Sequence, residues 1–506
     1  MVTIPESIGK GRKRIIIDDE INKDTILQVL QDALTIHNQN VIDMKYLIDY
    51  YKGKQNILLR ENPYASDINN KVVLNYAFSS VRDIVGYTFG KDAEITQRKI
   101  KRKKDVETLS DIFNYENSSI ADTESATMAA ITGIGYEATL PTEELASDYM
   151  PDIPIVINSL DVLTTFVIQS ARIGNPVRLS CTYWYDQKKY TYFTAFTDTE
   201  IYYIKAKGNG TIMVGSTENE INVVPNIIGL NPISMIQNNA FLMGDFEVAI
   251  TVLDALNQIA SDSVNDVENV IKSLLVIINA ELEDGASDDI KKNRILELVG
   301  NPGLGNVDAK FIYQQLDATG IQNLREYLEE AYKIIIGIPD RKTRGGGGGD
   351  TGDAVKLRDG WADIEVVARI KEKYFKVAKK KQIAVAIAIL KGLNLISQEL
   401  KLIDIDIKLP RNKNDNLQTK AQSYSTIIGT KTISPEDALN IADMTTDTAE
   451  VIRRGEKYWK SQESSNSTSD TDENKQEDDK QSDNKQDENK QDDNKQDINN
   501  TEDATK

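Results

Sequence analysis

Gly244-Asp245-Phe246-Glu247-Val248-Ala249-Ile250-Thr251-Val252-Leu253-Asp254-Ala255-Leu256-Asn257 opens a run that continues to Leu274 and sets Phe246, Ile250, Leu253, Leu256, Ala260, Val264, Val267, Ile271 and Leu274 on one stripe. Their spacing of about 3.5 residues is that of a long amphipathic helix. Asp245 stands where an N-cap belongs, and Glu247 suits the positive end of the helix dipole. The opposite face carries Thr251, Asp254, Gln258, Ser261, Asp262, Asn265, Glu268 and Asn269. Such a wide polar face predicts a helix packed on one side only, with the other side toward water.

Working outward, a second helix is expected over about 321–336, on Leu324, Leu328, Ala331, Tyr332 and Ile335, and it stops at Gly337-Ile338-Pro339. Arg341-Lys342-Thr343-Arg344 then leads into five glycines, Gly345 to Gly349, and Asp350-Thr351-Gly352-Asp353. A third long helical pattern follows from Ala354 to about Leu390. Its Lys371, Lys373, Lys376, Lys379, Lys380 and Lys381 read as a basic end facing the negative pole of the dipole. Between the first two helices, turns at Gly285, Gly300, Pro302-Gly303 and Gly305 mark a small α/β insertion. Upstream, 155–168 and 177–207 are rich in Thr, Tyr, Val and Phe and read as hairpin strands. Leu402-Ile403-Asp404-Ile405-Asp406-Ile407 alternates like one more strand, and helix returns from Ser434-Pro435-Glu436 to Lys460. The fold class is α+β.

Composition removes many functions. The chain has 506 residues, a formal charge of −19, one Cys and one His. Disulfides, thiolate or imidazole zinc sites and Cys/His nucleophile pairs are therefore not expected. Cys181, in Leu179-Ser180-Cys181-Thr182-Tyr183, reads as a buried strand residue, and His37 as a surface or capping residue of a polar helix. The longest apolar run, Ile383 to Leu390, is far short of the roughly 20 residues that cross a bilayer, and no apolar signal core opens the chain. No membrane partner is expected. Residues 461–506 hold fifteen acidic and six basic side chains in a repeating unit, with Lys at 475, 480, 485, 490 and 495. So polar a segment cannot offset its ordering entropy and reads as a disordered acidic tail.

Chemical motifs are absent. Gly9-Lys10-Gly11, Gly53-Lys54-Gln55 and Gly90-Lys91-Asp92 lack the hydroxyl that closes a phosphate loop, and Gly133-Ile134-Gly135 lacks a dinucleotide motif's third glycine. Carboxylate pairs such as Asp18/Asp19 and Asp404/Asp406 arise freely in so acidic a chain and do not make a magnesium nuclease. The basic tracts 10–14 and 98–104 read as solvated or intersubunit faces before DNA-binding ones. No catalytic residue, metal or cofactor is expected.

Several segments in order resemble the portal (head-to-tail connector) proteins of tailed bacteriophages, of the siphovirus type. They are Asp49-Tyr50-Tyr51-Lys52-Gly53; Asn70-Lys71-Val72-Val73-Leu74-Asn75-Tyr76; Val85-Gly86-Tyr87-Thr88-Phe89-Gly90-Lys91; Pro232-Ile233-Ser234 with Asn238-Asn239; and Asp245, Glu247, Asp254, Asn257, Ser261 and Asn265. Gly133 to Glu137, Ile338-Pro339-Asp340, Thr351 to Lys356 and 432–456 extend the match. The family's usual Ser-Gly-x-Ala is here Thr351-Gly352-Asp353-Ala354 after the glycine run, so the loop is expected to be longer or more mobile.

The resemblance implies a ring, usually of about twelve subunits, around a channel at one capsid vertex through which double-stranded DNA is packaged and ejected without sequence recognition. It implies a β-rich wing within 1–243, stem helices at 244–272 and 319–337, and a clip at 273–318 that docks the terminase large subunit and later the neck adaptor. It further implies a tunnel loop at 338–353, a long wing helix and wing return within 354–430, a crown at 431–460 and the tail beyond. Arg341, Lys342, Arg344, Gly345, Gly346, Gly347, Gly348, Gly349 and Asp350 fall in that loop as DNA-contact candidates. Major capsid and scaffold proteins are the other implied partners. The virion, assembled in the host cytoplasm, is the implied location, and a non-portal capsid-associated structural protein is the alternative.

Overall fold

In a computed structural model, the described residues are 6, 8–61, 68–98, 102–115, 118–142, 153–186, 189–208, 210–271, 274–278, 280–282, 298–300, 308–312, 318–338, 361–411, 417–442, 444–445 and 448–469. The chain forms two compact units, 1–414 and 415–506.

The first unit opens with β1 (Ile15–Ile16) and α1 (Ile26–Tyr51), then α2 (Tyr76–Phe89), β2 (Glu94–Gln97), α3 (Lys103–Tyr115) and α4 (Ser118–Thr132). Strands β3 (Ile134–Pro141), β4 (Ile155–Leu160), β5 (Thr165–Gln169), β6 (Val177–Tyr185), β7 (Tyr190–Phe196), β8 (Glu200–Lys207), β9 (Glu220–Pro225) and β10 (Ile233–Gln237) follow. Then come α5 (Ile250–Ile271), β11 (Leu274–Ile278), β12 (Ala280–Leu282), β13 (Leu298–Gly300), β14 (Asp308–Ile312), α6 (Ala318–Ile336), α7 (Trp361–Gly392) and β15 (Ile405–Lys408). The second unit contains α8 (Leu417–Gly429), α9 (Pro435–Ile441) and α10 (Thr448–Ser469).

Of the expected hairpin strands, β4 goes to another sheet, whereas β5 to β8 form the middle of a six-stranded sheet ordered β1-β5-β6-β7-β8-β9, antiparallel except for β1 on β5. Alternation sets its two faces. On β6, Leu179, Cys181 and Tyr183 point inward, while Trp184 lies outside, stacked on Tyr192. The inner face meets Ile26, Val29, Leu30, Ala33 and Leu34 of α1. Strands β10-β3-β4 make a second sheet, and β15 pairs with β2. Another core joins α2, α4, α6, the first half of α7 and the start of α5.

Several expectations need correction. Asp245 does not cap α5: one 3-10 turn, Glu247–Ala249, precedes the helix, and Phe246 stands at its cap without a side-chain bond. Leu274 belongs to β11, not to the helical stripe. The lysines at 371–381 lie in the middle of α7, not at its end, and Lys371 and Lys379 are buried in ion pairs with Asp245 and Asp122. His37 is buried, not at the surface: its Nε2–H donates to the Leu163 carbonyl at 3.1 Å, and its ring packs on Phe166 and Tyr183. A 3-10 turn occupies Leu402–Asp404, so the expected strand there is only its second half, β15. Helix after Ser434 is two helices. Ser434 caps the first, its hydroxyl accepting the Asp437 N–H at 3.1 Å. The second, α10, runs to Ser469 and so enters the segment read as tail; 470–506 lie outside the described residues.

Candidate functional site

One group of the motif residues meets along a polar seam between α5 and the N-terminal segment 50–76. Asn265 Oδ1 accepts the Asn70 N–H at 2.8 Å, Ser261 Oγ the Val72 N–H at 2.9 Å and Asn257 Oδ1 the Leu74 N–H at 2.8 Å. The geometry matches by arithmetic. Four helical residues rise about 6 Å, and two extended residues advance about 6.6 Å. Successive helix positions spaced by four can therefore serve alternate N–H groups of a chain lying antiparallel to the helix. No sheet or helix partner satisfies those amides, so the acceptors on α5 do.

The seam continues at both ends. Asn257 donates to Gln55 Oε1 at 2.5 Å, and Gln55 donates to Asn75 Oδ1 at 3.0 Å. Asn75 caps α2, accepting the Phe78 N–H at 3.2 Å, and donates to the Tyr51 carbonyl at 2.9 Å. Gly53, at φ +90°, turns the chain out of α1. Asp254 accepts from Tyr50 at 2.9 Å and from Asn56 at 2.8 Å. Burial raises the Asp254 carboxyl above its ordinary range, although those two hydrogen bonds oppose the shift.

This arrangement corrects in part the expectation of a water-facing polar side on α5: Thr251 and Gln258 are exposed, but the positions that meet 70–74 are not. Asn257, Ser261 and Asn265 are buried, whereas Val264 and Val267 of the supposed packed stripe are 43% and 52% exposed. In this later part of the helix, hydrogen-bond demand from the neighbouring segment decided the burial.

Other motif residues anchor neighbouring elements. Glu247, fully buried, accepts from Arg12 at 2.7 Å and from the amides of Gly9 and Gly244 at 2.8 and 2.9 Å. Asp245 accepts from Lys371 and Asn238, both at 2.7 Å. Asn239 shapes the preceding turn by accepting the Phe241 and Met243 amides at 3.1 Å, and the Pro232 carbonyl accepts the Thr139 amide. Tyr76 donates to Glu329 of α6 at 2.9 Å, and Tyr87 to Glu365 of α7 at 2.7 Å. Gly90 ends α2 and Lys91 is exposed after it; nothing in the structure explains Gly86.

Among the described residues, the arginines of the basic tracts make ties within the subunit, and 99–101 lie outside the described residues. Arg12 pairs with Glu247, Arg14 donates to Gln169 and Gln237, Arg98 pairs with Asp406, and Arg102 with Glu399. Gly133 and Gly135 serve packing, because a Cβ on either would run into the carbonyl oxygen of Leu242 or Ser125. Arg341, Lys342, Arg344, Gly345 to Gly349 and Asp350 lie outside the described residues. Sequence reasoning missed Arg12, Lys371 and Gln55 as buried partners; their only signal was the acidic and amide residues each must satisfy. Among the described residues no three His, Cys, Asp or Glu side chains gather where they could hold a metal ion, and no helix is long and apolar enough to cross a membrane.

The model of the family described as phage portal protein, SPP1 Gp6-like, matches residues 30–497. No curated protein matches the chain. A solved chain described as the neck of an empty GTA particle computed with C6 symmetry is similar at 12% identity and a TM-score of 0.41, over 79% of this chain and 93% of that one.

Proposed function

This chain belongs to the SPP1 Gp6-like phage portal family, and from that premise we propose that its copies close into a ring, of about twelve subunits, around a channel that double-stranded DNA enters during packaging and leaves during ejection. A portal protein is a structural component of the virion. In this reading 244–272 and 319–337 are the stem, and 273–318 are the clip that docks the terminase large subunit and then the neck adaptor. The wing is built from parts of 1–243 and 354–430, the crown is 431–460, and major capsid and scaffold proteins surround the ring. Residues 338–353 are the tunnel loop, in which Arg341, Lys342 and Arg344 touch passing phosphates transiently, each a contact weakened by salt. A net charge of −19 keeps the conduit from gripping the phosphate backbone. The chain supplies no ATPase of its own, and the docked terminase drives translocation.

The observation that carries this reading is apolar surface left uncovered on α5 and α6. Val264 and Val267 on the first helix, and Leu324, Tyr327, Ile334 and Ile335 on the second, are exposed in the single subunit. Apolar side chains left exposed on two helices that pack together point to an interface, and a ring of identical subunits covers it in every copy at once. Native mass spectrometry of the purified protein, with negative-stain images of the same sample, tests it. A discrete ring with an open axial hole is expected; a stable closed assembly without a hole would overturn the conduit.

A further inference from the structure

Lys379 of α7 reaches into the protein and donates to both carboxylate oxygens of Asp122 on α4, at 2.7 and 2.8 Å, with side-chain exposures of 1% and 8%. Glu137 of β3 is as deeply buried, and its carboxyl lies close enough to Asp122 for the two charges to act on each other. Its Oε2 accepts from Gln382 of α7 at 3.0 Å, while its Oε1 has no donor. Phe113 of α3 lies beneath the ammonium at 5.0 Å, Ser125 and Ser159 close the polar side, and Asp92, from the turn after α2, adds further negative potential.

Lys379 directs its ammonium at both oxygens of Asp122, which leaves the buried Glu137 carboxyl without a cation of its own. One ammonium cannot neutralise two buried carboxylates, and an uncompensated charge there is expensive. We propose that Asp122, Glu137 and Lys379 hold one proton in common and act as a pH-sensitive clamp fastening α7 to the α4–β3 layer. Asp122 takes both lysine hydrogen bonds, so the proton sits on the Glu137 side, removing the buried charge that no cation compensates. When it leaves, two anions face each other across a dry junction and the clamp loosens.

Burial first, and then the Asp122 charge, push the Glu137 carboxyl up to about 8, with Lys379 opposing. The unfolded chain releases this proton near the ordinary carboxylate value, and the folded chain keeps it until higher pH. The stabilisation is thus complete at acid pH and is lost progressively as pH rises from about 4.5 to about 8.

Infrared titration of the full-length protein tests the clamp. The carbonyl stretch of a protonated carboxyl, above the amide I band, is expected at neutral pH, is expected to vanish on raising the pH past about 9, and is expected to be missing from Glu137→Gln. In urea unfolding, the wild-type folding constant should fall by up to about tenfold per pH unit more than that of Glu137→Gln across the same window. A wild-type spectrum without the band at neutral pH, or a band unchanged in Glu137→Gln, would overturn the proposal. If Glu137→Gln does not fold, the band in the wild type and its titration decide alone.

Discussion

His37 is the chain's one histidine, and its imidazole sits between α1 and the six-stranded sheet, where water cannot solvate a charge. Burial lowers its pKa from 6.5 to about 4, against the opposing pull of the Leu163 carbonyl and the Asp161 charge. The sign follows directly. Below about pH 6.5 the unfolded chain takes up a proton that the folded chain refuses, so stability is present above that value and is lost as pH falls toward 4. The loss attributable to this ring is about 3 kcal/mol. Urea unfolding at neutral pH and near pH 4.5 should show a larger acid loss in the wild type than in His37→Gln, whose amide can still donate to Leu163. Equal losses in the two proteins would remove His37 from the acid response. The sequence marks His37 only as polar on a polar-looking helix; Phe166 and Tyr183, which bury it, lie more than a hundred residues away. Cys181 was legible where His37 was not, because a strand's alternation states which side is inward as soon as its aromatic neighbours are read. The thiol is buried as expected, and burial raises its pKa, leaving it unreactive.

At the scale of the element, α5 separates what periodicity tells from what it does not. A period near 3.6 announces the helix, and the helix is there, but the burial of each face is settled by what packs on it. Near its start the apolar stripe is indeed buried, through Phe246, Ile250, Leu253 and Leu256. Farther along, the unpaired amides of 70–74 claim the polar face and leave Val264 and Val267 outside. This inversion has a measurable consequence. Asn257→Ala strands the Leu74 amide and the Gln55 side-chain carbonyl, and should lower the unfolding free energy by about 2–4 kcal/mol. Val264→Ala removes exposed carbon only and should stay within about 0.5 kcal/mol in the isolated subunit. Urea midpoints of the two variants decide between the faces: a costly Val264→Ala beside a neutral Asn257→Ala would restore the water-facing polar side. The lysines of α7 carry the same lesson, since Lys371 and Lys379 read as part of a basic helix end until Asp245 and Asp122 are brought to them by distant parts of the chain.

For the whole molecule, α+β character and the polarity of the tail were open to reading because they follow from composition and local pattern alone. The division of the chain at 414/415 was not, because it depends on where apolar side chains find partners. Every hydrophobic cluster among the described residues lies in the first unit, built from α1 to α7 and the sheets. The described part of the second unit buries only Ala438, Ala442 and Thr448, while Ile441, Tyr458 and Trp459 stay exposed on its helices. Three helices with so little interior cannot offset their own ordering entropy. The first unit should therefore be thermodynamically self-sufficient and the second dependent on partners. A chain ending at Asn414 is expected to unfold cooperatively, with a midpoint within a few degrees of the full-length protein and mixed helix and strand circular dichroism. A chain of 415–506 alone is expected to melt without a cooperative transition. Loss of cooperative unfolding in the shorter first chain would mean that the second unit completes the core of the first, and that its exposed aromatic residues are spent within the subunit and not on a neighbour.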